Sequence, residues 1–161
     1  MTNTRVLVTG ATGKIGGAVA AETTDAVASF CAASVTNDVD GMMTALAPDA
    51  ELVSPMFARM VVRGHDDLRV VLEVVFGGLR NLHWQEFIGD AQTRVAVGDA
   101  RIFGLRIYDA MVIDLDDAGR IRRLRQHLRG WLPVTVRMLE VGLKLGRYPR
   151  LVGRALRVHP A

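Results

Sequence analysis

Residues 111–128, Met-Val-Ile-Asp-Leu-Asp-Asp-Ala-Gly-Arg-Ile-Arg-Arg-Leu-Arg-Gln-His-Leu, read as two strands joined by a tight turn. In the first arm Met111, Ile113 and Leu115 alternate with Val112 and Asp114, and Asp116, Asp117, Ala118 and Gly119 supply the turn. In the second arm Leu124, Gln126 and Leu128 alternate with Arg123, Arg125, His127 and Arg129. Side chains on a strand point alternately to its two faces, so this ribbon has one face suited to a covered interior and one that is strongly basic.

The segments before the ribbon have the character of that cover. Residues 24–34 are small and helical in period, with Thr23 or Thr24 as a plausible cap. Asp38 and Asp40 start a second helix over residues 41–46, with Met42, Met43 and Leu46 on its apolar stripe, and Ala47-Pro48-Asp49-Ala50 stops it. A short strand is predicted over residues 51–54. Gly64-His65-Asp66-Asp67 then introduces a third helix that runs through Leu79, with Leu68, Val71, Leu72, Val75 and Phe76 spaced for burial. Strands are predicted over residues 82–88, 93–102, 105–115 and 120–128. Three helices followed by a run of strands predict an α+β fold, the helices packed on one face of a curved antiparallel sheet.

A chain of 161 residues, half of them apolar and about a quarter charged, has the length and composition of one globular domain. Eighteen arginines against two lysines is the usage of a GC-rich bacterial genome. The charge is unevenly placed. Lys144, Arg147, Arg150, Arg154 and Arg157 follow Glu140, after which no acid occurs, and removing these five from the net charge of +3 leaves −2. The net basicity is therefore largely a property of the tail, a weak basis for nucleic-acid binding, and no nucleic-acid partner is expected. A single cysteine, Cys31, rules out an intrachain disulfide and a cysteine-based metal cluster. No acidic-histidine grouping has ligand spacing, so no metal is expected. The first apolar run is too short for a signal peptide, and charges interrupt the C-terminal apolar stretch, which makes a cytoplasmic location the expectation.

Four blocks resemble the nuclear transport factor 2-like superfamily, specifically its SnoaL-like and ketosteroid-isomerase-like branches. They are Asn37-Asp38-Val39-Asp40, Leu46-Ala47-Pro48-Asp49-Ala50, Val62-Arg63-Gly64-His65-Asp66-Asp67-Leu68 and Asp116-Asp117-Ala118-Gly119-Arg120-Ile121, spread over about residues 24–130. The resemblance implies a cone-shaped domain with a pocket for a hydrophobic small molecule, used in isomerase, dehydratase or cyclase chemistry or in binding alone, and needing no cofactor. A homodimer is expected. It also implies which isomerase residues to look for: a tyrosine late in the first helix, an aspartate base after the second, and a protonated aspartate donor. Carried onto this chain, those positions hold Phe30, Ser54 and Met111. All three polar groups are replaced, which argues against steroid isomerisation by that route.

A pocket of the implied kind would be lined by Phe30, Ser54, Trp84, Met111, Leu124, Gln126 and Leu128. Strand parity puts Asp109 on the face of Met111, where an apolar setting would raise its pKa and suit it to act as an acid or base. The alternative for Asp109 is a structural ion pair with an arginine such as Arg106. Gln126 reads as a hydrogen-bonded core amide. His83 and His127 read as surface residues, and His65 as part of a helix start. Trp84 and Trp131 read as cavity lining or core.

Two segments flank this domain, taken as residues 23–130. Within residues 1–22, Thr9-Gly-Ala-Thr-Gly-Lys-Ile-Gly16 follows a β-branched run and precedes an alanine-rich helix. It resembles the opening of short-chain dehydrogenase/reductases, in which Gly10, Gly13 and Gly16 would cradle a dinucleotide phosphate. The second strand with its ribose-selecting residue does not follow, and neither Tyr108 nor Tyr148 has a lysine four residues on. The bland reading is an added strand and helix; the other is an NAD(P)-linked oxidoreductase relative. At the other end, residues 131–161 form a basic amphipathic tail: a helix over 132–145, interrupted by Gly146 and Pro149, then another turn or two. Three roles compete for it: a lid over the cone, a dimer contact, or contact with a membrane surface. The broad apolar stripe and Glu140 favour packing on its own domain or a dimer mate over a membrane.

Overall fold

The computed structural model describes residues 25–55 and 60–157. Gly10, Gly13 and Gly16, and the cap expected at Thr23 or Thr24, lie outside them. The fold is α+β, with helices α1 (Ala26–Thr36) and α2 (Val39–Thr44), strands β1 (Leu46–Val53) and β2 (Val61–Arg63), helix α3 (His65–Phe76), strands β3 (Arg80–Gly89), β4 (Thr93–Ile102), β5 (Leu105–Leu115) and β6 (Ile121–Arg129), and helices α4 (Trp131–Leu145) and α5 (Pro149–Ala155). The strands form one curved sheet in the order β2-β1-β6-β5-β4-β3.

The helix starts follow from local chemistry. Asp25, one or two residues beyond the expected cap, accepts from the Val27 amide at 3.0 Å, and Asp38 accepts from the Gly41 amide at 2.9 Å. On α3 the periodic residues Leu68, Val71, Leu72 and Phe76 are all buried. They meet Phe30 and Cys31 of α1, Met42 of α2, and Ala96, Met111, Ile113 and Leu124 from the covered face of the sheet. Phe30 and Phe76 pack edge to face with ring centroids 5.9 Å apart.

The β5–β6 ribbon forms as its alternation requires. Met111 pairs with Gln126 and Ile113 with Leu124 on the covered face, while Arg123 and His127 face solvent. Gly119 adopts φ +75° in the turn, a conformation that suits glycine, and Asp116 accepts from the amides of Ala118 and Arg120 at 3.0 and 2.8 Å.

The structure departs from the sequence reading in four places. Helix α3 ends at Phe76 and not at Leu79, with Gly77 at its C-cap. Leu46, expected to close the second helix, and residues 47–50, expected to stop it, form the first half of β1; α2 stops at Thr44. The sheet is mixed and not wholly antiparallel, because β1 runs parallel to β6, with Leu52 beside Leu124. Register shifts between Leu46 and Glu51, the stretch that contains Pro48, and proline has no amide to give to a ladder. The short strand β2 was also not anticipated. It pairs with β1 so that Arg63 lies beside Glu51, which it contacts at 2.8 Å.

Candidate functional site

A cavity of about 80 Å³ lies between the sheet and α3, under α4. Its floor is Trp84 of β3, Ala100 of β4, Ile107 and Asp109 of β5, and Gln126 and Leu128 of β6. Val71, Val75 and Phe76 of α3 form one wall, and Leu52, Ser54 and Val62 of β1–β2 form another. The roof is Arg137, Met138, Val141 and Leu145, all from α4. The tail helix thus closes its own domain, and Arg137 is only 2% exposed.

Asp109 is the carboxyl group that the lining places among apolar side chains. Burial pushes its pKa up to about 6, and hydrogen bonds from the His127 amide at 3.3 Å and Gln126 Nε2 at 3.4 Å oppose that rise. Gln126, 6% exposed, lies diagonally across the β5–β6 pair and holds its amide toward the carboxyl. Of the two readings for Asp109, the partner Arg106 belongs elsewhere: it pairs with Asp99 at 3.1 Å and lies over the Tyr108 ring. Asp99 touches the cavity but is tied up by Arg106 and Gln85.

Trp84 is held by chemistry at both ends. Its Nε1 donates to Ser34 Oγ at 2.9 Å, and Ser34 donates onward to the Cys31 carbonyl at 2.7 Å. The ring lies against Gly98, its partner across the β3–β4 ladder, where an added Cβ would come within 2.8 Å of Trp84 Cε3 and 2.6 Å of the His83 carbonyl. Glycine at 98 leaves room for the indole on the cavity floor.

The residues anticipated for the pocket divide into two groups. Ser54, Trp84, Asp109, Gln126 and Leu128 come together around the cavity. Phe30, Met111 and Leu124, each at most 1% exposed, sit in the packed core and not along the cavity wall. Trp131 is neither lining nor core, being 80% exposed. His83 and His127 are exposed, as expected, and His65 is the first residue of α3 and is exposed as well. Among the described residues, no group of three metal-ligating side chains converges. The roof residues were missed at the sequence level, because a helix that closes over a pocket has the same apolar period as one that packs on a core.

Neither a family model nor a curated protein sequence matches this chain. Its structure is similar to solved ones. A bacterial protein with a cystatin-like fold from Silicibacter pomeroyi has a TM-score of 0.75 at 15% identity, over 84% of this chain and 96% of its own. A steroid delta-isomerase from Pseudomonas aeruginosa has a TM-score of 0.68 at 22% identity, over 79% of this chain and 96% of its own. TerC, co-crystallised with polyporic acid, has a TM-score of 0.56 at 21% identity, over 72% of this chain and 94% of its own. Other similar structures are described as NTF2-like proteins and a putative polyketide cyclase. The fold is therefore the α+β cone of NTF2-like proteins, which hosts unrelated activities.

Proposed function

We propose that this protein holds a hydrophobic small molecule in the cavity and that Asp109 moves a proton on it, in an isomerisation, dehydration or cyclisation. The observation that carries this reading is the Asp109 carboxyl, with a pKa near 6, buried in a mainly apolar wall beside the Gln126 amide, while the other charged groups of the lining, Asp99 and Arg137, are already paired. Near neutral pH such a group is mostly ionised yet close enough to its pKa to take up and return a proton. Gln126 is placed to donate to the carboxylate and orient it. The isomerase and the polyporic-acid complex among the similar folds support a small-molecule site.

A second reading, a binding module without catalysis, is favoured by the residues at the isomerase positions. Phe30 and Met111 are fully packed apolar groups with no proton to give. The nucleotide reading rests on Gly10, Gly13 and Gly16, outside the described residues, and binding of NAD(P) at millimolar cofactor tests it separately.

Native mass spectrometry of protein purified from its own host identifies the ligand and also tests the expected homodimer. Turnover of that ligand by wild type and its loss in Asp109→Asn would establish proton transfer. A retained ligand that neither protein converts would leave the binding module as the function.

A further inference from the structure

Helix α4 is apolar on two opposite sides. One side roofs the cavity through Met138, Val141 and Leu145. The other presents Leu132, Leu139 and Leu143, which are 44%, 66% and 69% exposed and recur at helical spacing. Trp131 heads the same helix and is more exposed still. A solvent-facing helix side is ordinarily polar.

Charge is supplied just beyond this stripe. Arg147, Arg150 and Arg157 are exposed and make no ion pair among the described residues. Tyr148 between them is half exposed. The one acid in the segment, Glu140, is held by Arg137 at 2.6 Å and Lys144 at 2.7 Å.

We propose that the outer side of α4, with the arginines of the following segment, docks on an anionic phospholipid surface. The leucines enter the acyl boundary, Trp131 and Tyr148 lie at headgroup level, and Arg147, Arg150 and Arg157 meet phosphates. Charge favours a bilayer over a second copy of this chain. In a two-fold pairing each copy would meet the same patch, whose one acid is already paired, whereas anionic lipid supplies the counter-charge. Docked this way, the helix that roofs the cavity has lipid on its other side. The surface stands whether or not Asp109 is catalytic.

The test is sedimentation of the full chain with vesicles of phosphatidylcholine alone and of equimolar phosphatidylcholine and phosphatidylglycerol, with tryptophan fluorescence alongside. Association with the anionic vesicles alone, a blue shift of the emission and a severalfold loss at high salt are expected. Removing Arg147 or Arg150 should weaken binding about fivefold each. Leu139→Asp with Leu143→Asp should abolish it while leaving the circular dichroism and Tm of the free protein unchanged, because both side chains already face solvent. No association at low salt overturns the proposal. So does equal binding to neutral vesicles, or a solution dimer that the same leucine substitutions break apart.

Discussion

Arg137 of α4 donates through Nη2 to the Val74 carbonyl at 2.9 Å, which ties the cavity roof to the last turn of α3. Val75 accepts from the same nitrogen, and Nη1 pairs with Glu140. The carbonyls at a helix C-terminus lack intrahelical partners and carry partial negative charge, so a buried guanidinium there satisfies them and is itself stabilised. Gly78 makes the approach possible, since a Cβ on it would lie 2.9 Å from Arg137 Cζ.

Arg137→Met should therefore cost about 2–4 kcal/mol, the range for losing charge-assisted bonds at a buried site. Gly78→Ala should cost a large part of the same energy by displacing the guanidinium. Urea unfolding of both single variants and the double checks this, and the double should fall well short of additivity. Fully additive costs would mean that Gly78 acts through its own backbone and not through Arg137.

Stability should report the protonation of Asp109. Its folded pKa of about 6 lies above the ordinary carboxyl value of about 3.9, so folding favours the protonated form. That contribution is fully present below about pH 4 and is lost as pH rises through about 6. Asp109→Asn has no such proton to lose. Relative to this variant, wild type should weaken by up to about 2–3 kcal/mol between about pH 4 and pH 7.5. Urea titrations at the two pH values measure it, and a difference that does not vary with pH would contradict a buried titrating carboxyl.

Trp84→Phe keeps an aromatic ring on the cavity floor but removes the donor to Ser34. The expected loss is about 1–2 kcal/mol from one part-buried hydrogen bond and some packing, read by chemical denaturation. Ligand occupancy measured by native mass spectrometry should persist, because the apolar surface remains.

Ala100→Leu adds a branched side chain where Ala100, 2% exposed, lines the cavity. Filling the space should lower affinity for a bound hydrophobic molecule at least about tenfold, in line with the 1–3 kcal/mol typical of overpacking. Tm of the ligand-free protein should change by only a few degrees. Unchanged affinity would place the binding site elsewhere.

Sequence alone determined the elements whose periods are long. The 111–128 ribbon, with Met111 and Ile113 turned inward against an arginine face, could be read because strand parity leaves one arrangement that buries the apolar set. The stripe of α3 and the start of α2 at Asp38 followed from local pattern too, and so did the placing of Asp109 on the inner face. Tertiary structure alone decided the rest. Whether residues 46–50 ended a helix or began a strand depended on a partner 75 positions later, Ile121, which pairs with Leu46 and donates its amide to the Ala45 carbonyl. Whether Arg106 served Asp109 or Asp99 depended on where cross-strand neighbours fell. Burial separated Phe30, Met111 and Leu124 in the core from Trp84 and Gln126 on the cavity, although all five read alike as inward-facing. A sequence period shows which side of an element avoids water, but whether packed atoms or an empty pocket meets that side depends on where distant segments such as α4 come to rest.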